Sequence, residues 1–227
     1  MKHIDIKKTG KIELVGFDVD GVLLDTMDQS FVVDNMLIHK YSRKKYPNIT
    51  KDEYREALGK IDSGDADWSN FYKSFGVEDK FLRLVEEEFH EKFGSFYFGK
   101  SSVIPFTDLI LGYIKCPKFV VSKQKDLLKL LERLDSTCLL KHFDMNSIHA
   151  VSGSKTQSIN IETVMHLTDP KNAAYVGDST TDITYAKEAG VISIAIANDY
   201  SYSTRNQLAK AGPNVLSNSI KDSYKRV

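Results

Sequence analysis

The stretch ELVGFDVDGVLLDT, residues 13–26, constrains the fold more than any other part of the chain. A mainly apolar run suited to a buried strand, KIELVGF (11–17), leads into two aspartates separated by one residue, and then a glycine. A strand alternates its side chains between two faces, so an extended course through Asp18 and Asp20 sets both carboxylates on one side. Burying even a neutral polar group without a partner costs roughly 2–7 kcal/mol, and a carboxylate costs more. Two acids at the edge of an apolar core therefore need a cation, a metal ion or a chemical task.

Four further strand candidates follow: PKFVVS (117–122), SIHAV (147–151), NAAYVG (172–177) and GVISIAIA (190–197), each bounded by Gly, Pro, Ser or Asn. Helical patterns lie between them in KDLLKLLERL (125–134), TQSINIETVMHL (156–167) and TDITYAKEAG (181–190), the last closing on Gly190 as a C-cap residue. Strand and helix in alternation predict an α/β fold, a parallel sheet with helices on both faces. Residues 26–100 break the rhythm. DQSFVVDNMLIHKYSRKKY, TKDEYREALGKI, DWSNFYKSFG and VEDKFLRLVEEEFHEKFGSFY are amphipathic helical stretches without a strand signal. The expected division is a core of residues 1–25 and 101–227 with a helical insert over 26–100, and YFGKSSVIPF (97–106) as the hinge back.

A length of 227 residues suits a core with an inserted subdomain. Lys+Arg 31 against Asp+Glu 31 leave no formal net charge, which argues against a dedicated nucleic-acid binder. No apolar run approaches the roughly 18 residues of a membrane span, and the first residues lack a signal-peptide core. A cytoplasmic protein with no membrane partner is expected. Cys116 and Cys138, with no CxxC or Cys/His cluster, are expected as reduced structural thiols, and the scattered histidines match no ligand spacing.

In open parallel sheets ligands bind where loops leave the carboxyl ends of the strands. Asp18 and Asp20 follow the first strand, Ser122 ends the second, Lys155 lies shortly after the third, and GDSTTD (177–182) follows the fourth. Carboxylates without His or Cys make a hard oxygen cluster favouring Mg²⁺, while Ser122 and Lys155 complete an anion pocket. A carboxylate can attack phosphorus to give an aspartyl phosphate, and a second carboxyl two residues away can protonate the leaving oxygen and then deprotonate water. A calcium loop at Asp18 is disfavoured, since Val22 stands where an EF-hand needs an oxygen ligand and Gln29 where it needs Glu. Asp178 and Asp182 have a second reading as caps of the following helix.

At these residues the chain resembles the haloacid dehalogenase (HAD) superfamily of phosphotransferases, whose core is a three-layer Rossmann-like sheet. FDVDGVLLDT matches its first motif, Ser122 in VVSK the second, Lys155 the third and GDSTTD the fourth, in the family's order. The resemblance implies Asp18 as nucleophile, Asp20 as general acid/base and Ser122 and Lys155 as phosphate binders. It also implies Mg²⁺ held by Asp18, the backbone carbonyl of Asp20 and Asp178, with Asp182 in support. The long interval between Asp18 and Ser122 resembles the helical-capped subfamily containing phosphoglycolate phosphatase and β-phosphoglucomutase. Relatives often carry prolines after the third-motif lysine; SGSKTQSI has none.

The expected function is Mg²⁺-dependent hydrolysis of a small phosphorylated metabolite, with a sugar phosphomutase or a non-catalytic phosphate binder as alternatives. Lys60, in LGKIDSGDADW, resembles a residue of the relatives' substrate-specificity loop. HKYSRKKY (39–46) is expected as a solvated helix face, and Trp68, Phe71, Tyr72 and Phe75 as a core stripe of the cap.

Overall fold

The computed structural model describes residues 11–43, 48–62, 64–96, 102–124 and 126–224. Its strands are β1 (Leu14–Phe17), β2 (Leu24–Asp25), β3 (Ser102–Val103), β4 (Lys118–Ser122), β5 (Ile148–Ala150), β6 (Ala173–Gly177), β7 (Ile192–Ile196) and β8 (Val215–Ser217). Six of them make a parallel sheet in the order β5-β4-β1-β6-β7-β8, while β2 and β3 form a separate antiparallel pair. The helices are α1 (Met27–Tyr41), α2 (Lys51–Asp62), α3 (Trp68–Ser74), α4 (Leu82–Phe96), α5 (Thr107–Tyr113), α6 (Leu127–Ser136), α7 (Thr156–Met165), α8 (Thr180–Glu188), α9 (Arg205–Ala211) and α10 (Ile220–Tyr224).

The central strands are apolar throughout because both faces of the sheet are covered. Val15, Phe17, Val120, Val176 and Ile194 pack on one side with Ile110 of α5, Leu130 and Leu134 of α6 and Ile220 of α10. Leu14, Phe119, Val121 and Tyr175 alternate to the other side, against Ile159 of α7 and Ala186 of α8. Gly16 has no side chain because the Phe119 ring fills its place: a Cβ there would stand 2.2 Å from Cζ of that ring. The result is the three-layer α/β core expected from the alternation of elements.

Helices α1 to α4 follow β2 and precede β3, whose pairing of Asp25 with Ser102 and Leu24 with Val103 sets the outgoing and returning chain side by side. They form the helical cap around their own apolar cluster, including Val33, Leu37, Leu58, Phe71, Tyr72 and Val85. The expected helix over residues 28–46 ends at Tyr41; positions 44–47, and 97–101 of the expected hinge, lie outside the described residues. Of the basic run, Lys40 pairs with Glu88 and Arg43 with Glu78 at the surface. Both cysteines are free.

A buried acid sits inside the cap. Asp34 is 0% exposed and accepts hydrogen bonds from the Tyr54 and Tyr72 hydroxyls, each at 2.6 Å. Burial pushes its carboxyl from 3.8 up to about 6, with the two phenols pulling back. A carboxyl that holds its proton more tightly folded than unfolded contributes stability that is full below its unfolded pKa and is lost as pH rises through its folded one. Urea unfolding of wild type and Asp34→Asn at pH 4 and pH 7 is therefore expected to differ: the wild type loses on the order of 2–3 kcal/mol relative to the variant across that interval. A difference independent of pH would refute this.

Candidate active site

The carboxyl ends of β1 and β6 lie side by side, and the Asp18 amide donates to the Val176 carbonyl at 2.9 Å. After Asp18 the chain folds into a tight loop in which the Leu23 and Leu24 amides both donate to the Val19 carbonyl. Val19, Val22, Leu23 and Leu24 are buried and anchor it. Gly21 turns at φ +76°, and a Cβ there would fall 2.1 Å from Oδ2 of Asp178. Only glycine suits both the left-handed backbone and the approach of that carboxylate.

Asp18, Asp178 and Asp182 each offer a carboxylate oxygen within 4.8 Å of the others. Lys155, at the N-cap of α7 and 2% exposed, reaches in with Nζ 2.7 Å from Oδ1 of Asp18 and 2.8 Å from Oδ1 of Asp182. The missing proline after Lys155 has not displaced it. Asp182 caps a helix, as one of its sequence readings expects, and also meets a cation. Its Oδ2 accepts from Ser179 in a capping box at the start of α8, while its Oδ1 takes Lys155. Asp178 accepts the Tyr202 amide at 2.6 Å.

Crowding sets the electrostatics. Burial raises Asp18 to about 7, with Asp182 and Asp20 adding to the rise and Lys155 opposing it. Burial, then the charges of Asp18 and Asp182, push Asp178 well above the usual carboxylate range. Burial also acts upward on Asp182, but Lys155 outweighs it and holds the group low. Asp20 follows the same logic with a different cation. Burial is outweighed by Arg133 of α6, whose Nη2 donates to Oδ1 of Asp20 at 2.5 Å. Three clustered carboxylate oxygens with no imidazole or thiolate among them fit a hard divalent cation such as Mg²⁺, and Asp18, Asp178 and Asp182 are the side chains that could hold it.

These groups form the floor of a cavity of about 530 Å³ between core and cap, lined on the core side by Asp18, Asp20, Arg133, Lys155, Asp178 and Asp182. A more apolar cavity of about 630 Å³ opens at the amino ends of the strands, where Glu13 is the one carboxylate among the described residues of its lining. The clustered chemistry is thus at the carboxyl ends.

Ser122 ends β4, fully buried, and its Oγ accepts from the Gln124 amide at 3.1 Å; Lys123 and Gln124, rather than Ser122, line the cavity. Lys60 lies in the last turn of α2, and lines a neighbouring groove with Glu56, Thr180 and Arg205. Trp68 departs from the core-stripe expectation. Phe71 and Tyr72 are 2% and 3% exposed, whereas Trp68 is 43% exposed and borders the cavity with Phe89. The stripe bends there because Asp67 caps α3, leaving Trp68 as its first residue, at the mouth of the cap core.

Arg133 and Tyr202 were not singled out from sequence. Arg133 had a signal: it occupies the buried stripe of α6 between Leu130 and Leu134, where a charge has to find a partner. Tyr202 had none, because its place comes from the loop after β7. Its hydroxyl donates to Thr26 at 3.0 Å and lies 3.1 Å from the Ser30 hydroxyl, tying that loop to the start of the cap.

Solved structures with this fold span nearly the whole chain. A haloacid dehalogenase-like family hydrolase from Streptococcus pneumoniae superposes with a TM-score of 0.72 at 16% identity, over 94% of this chain and 97% of that one. A protein described as a predicted phosphoglycolate phosphatase from Haemophilus somnus gives 0.71 at 18% identity, over 95% and 98%. One described as a predicted phosphatase from Clostridium acetobutylicum gives 0.64 at 19%, over 96% and 98%. At such identities the likeness is one of fold. None of the curated proteins compared with the chain matches it. The family model for haloacid dehalogenase-like hydrolases matches residues 15–196, a span reaching from β1 and its two aspartates through GDSTTD to the end of β7, and the chain belongs to that family.

Proposed function

We propose that the protein is a Mg²⁺-dependent phosphatase that hydrolyses a small phosphate monoester through an aspartyl phosphate on Asp18. The observation that carries this reading is the pairing of two carboxylates with two cations on one cavity floor: Asp18 against Lys155 and Asp20 against Arg133. A binding protein gains little from a nucleophile beside an acid/base, and crowding like charges is expensive without a task.

In the first step an Asp18 oxygen attacks phosphorus, the bond to the ester oxygen breaks, and Asp20 gives that oxygen a proton. Arg133 holds Asp20 ionised in the free protein. A dianionic phosphate arriving beside Asp20 raises its proton affinity and favours the protonated form that this step uses. In the second step Asp20, again a carboxylate, takes a proton from water, the water oxygen bonds to phosphorus, and Asp18 is released. Lys155 is placed to offset charge on the transferring group and to orient Asp18. A Mg²⁺ held by the Asp18, Asp178 and Asp182 carboxylates would supply positive charge that keeps Asp18 ionised and offsets charge on the phosphoryl group. The cap, proposed to span residues 26–100, excludes bulk water.

A sugar phosphomutase shares this floor but has to recognise several sugar hydroxyls, and the cap residues over the cavity are mainly apolar. Phosphate release from a panel of phosphate monoesters tests the reading. Release is expected with Mg²⁺ and to fall by roughly a hundredfold or more after chelation, since several kcal/mol of charge stabilisation are withdrawn. Metal-independent release, or none from any ester, would count against it.

A further inference from the structure

The cap turns an aromatic, uncharged roof toward the carboxylates. Its contribution to the cavity lining is Ser30 of α1, Leu58 and Ile61 of α2, Trp68 of α3 and Phe89 of α4. The Ser30 hydroxyl is already bonded to that of Tyr202. Among the described residues, every lysine or arginine in the cavity lining comes from the core: Lys123, Arg133 and Lys155. Lys155 is engaged by Asp18 and Asp182, and Arg133 by Asp20. Among the described residues, a leaving group that points a carboxylate at the cap meets no cation in the lining, and a polyol meets a single hydroxyl already in use.

A flat ring meets a prepared surface. The Trp68 ring centroid lies 5.4 Å from that of Phe71, 6.2 Å from Tyr72 and 6.3 Å from Phe89, so its neighbours fix the indole. Even so, 43% of the residue remains exposed, and it lines the cavity. A large aromatic held rigid and left accessible above a reactive floor gains by stacking on a ligand. A cavity of about 530 Å³ accommodates a phosphate together with a ring system.

We propose that the site takes phosphate monoesters whose leaving group carries a flat aromatic or heteroaromatic ring, stacked beneath Trp68 and Phe89 while the phosphate lies on the Asp18–Lys155 floor. The inference rests on the phosphatase reading for the position of the phosphate, and it makes Trp68 a specificity determinant.

Trp68 is the chain's single tryptophan, so its fluorescence reports on the ring site without any turnover. With Mg²⁺ and the full-length Asp18→Asn protein, adenosine 5′-monophosphate and benzyl phosphate are expected to change Trp68 emission saturably. Ribose 5-phosphate and 2-phosphoglycolate should displace them only at concentrations about tenfold higher or more, the low end of base–aromatic stacking. In wild type, the ratio of kcat/KM for adenosine 5′-monophosphate to that for ribose 5-phosphate, which carries the same phosphate on the same kind of alcohol, is expected to fall about tenfold in Trp68→Leu, chiefly through KM. Equal affinity for ring-bearing and ring-free esters, no saturable change in emission, or an unchanged ratio in Trp68→Leu would overturn the proposal. Ring-selective binding without hydrolysis of any ester would uphold this inference and sink the phosphatase reading; hydrolysis without ring preference would do the reverse.

Discussion

Asp18→Asn is expected to abolish turnover, by about 10⁴-fold or more, while the protein stays folded and melts no lower than wild type. Asparagine keeps the shape of the side chain but offers no anionic oxygen to phosphorus, so the covalent step has no nucleophile. The stability expectation follows from the crowding of the floor. The negative charge of Asp18 helps to raise Asp178, a sign that the two carboxylates repel. Removing one charge relieves that repulsion, and Lys155 keeps Asp182 as a partner at 2.8 Å. Lost activity with unchanged or raised Tm is the pattern of a residue retained for function at the expense of stability. The measurements are phosphate release and thermal melting on the same preparation. Retention of more than roughly a hundredth of the wild-type rate would remove Asp18 from the nucleophile's role.

The parts of this architecture legible in the sequence are those whose local pattern and tertiary environment agree. β1, β4, β6 and β7 are apolar runs between turn residues because each is buried on both faces, and the residues that interrupt the pattern, from Asp18 to GDSTTD, mark the strand ends where the site lies. β8 escaped notice: its three residues gain strand character by pairing with Ile194 to Ile196 of β7, a contact between distant parts of the chain. α5 was hidden by Pro105, which resembles a hinge; the chain turns through Phe106 at φ 71° before the helix begins. Within the site, spacing and residue type identified the aspartates that cluster with Lys155. They could not foresee that the Ser122 hydroxyl faces the Gln124 amide, or that Lys60 lines a different groove. Those outcomes depend on how α2 and the β4 loop pack, which no local pattern encodes.

Arg133 carries the second large effect. Its replacement by leucine is expected to lower kcat by roughly 10- to 100-fold with a smaller change in KM, a part of the 10²–10⁴ that a positioned acid/base contributes. The guanidinium reaches across from α6 to Asp20 and fixes the direction of that carboxylate over the floor. Without it Asp20 keeps the Thr26 hydrogen bond but loses its charged partner, so fewer encounters find the proton donor aligned. Leucine continues the apolar stripe formed by Leu130 and Leu134, and the Asp20 side chain is 32% exposed, so water can solvate the carboxylate left behind. The fold should therefore persist, which a melting curve checks. Arg133→Lys restores a positive charge but not the planar fork, and is expected to recover part of kcat. The pH profile separates positioning from simple packing. Burial raises Asp20 and Arg133 overrides it, so in Arg133→Leu the carboxyl moves up and the acid limb of kcat shifts toward higher pH. A rise in KM alone would make Arg133 a substrate anchor, and equal losses in the lysine and leucine variants with an unmoved acid limb would leave it a structural residue.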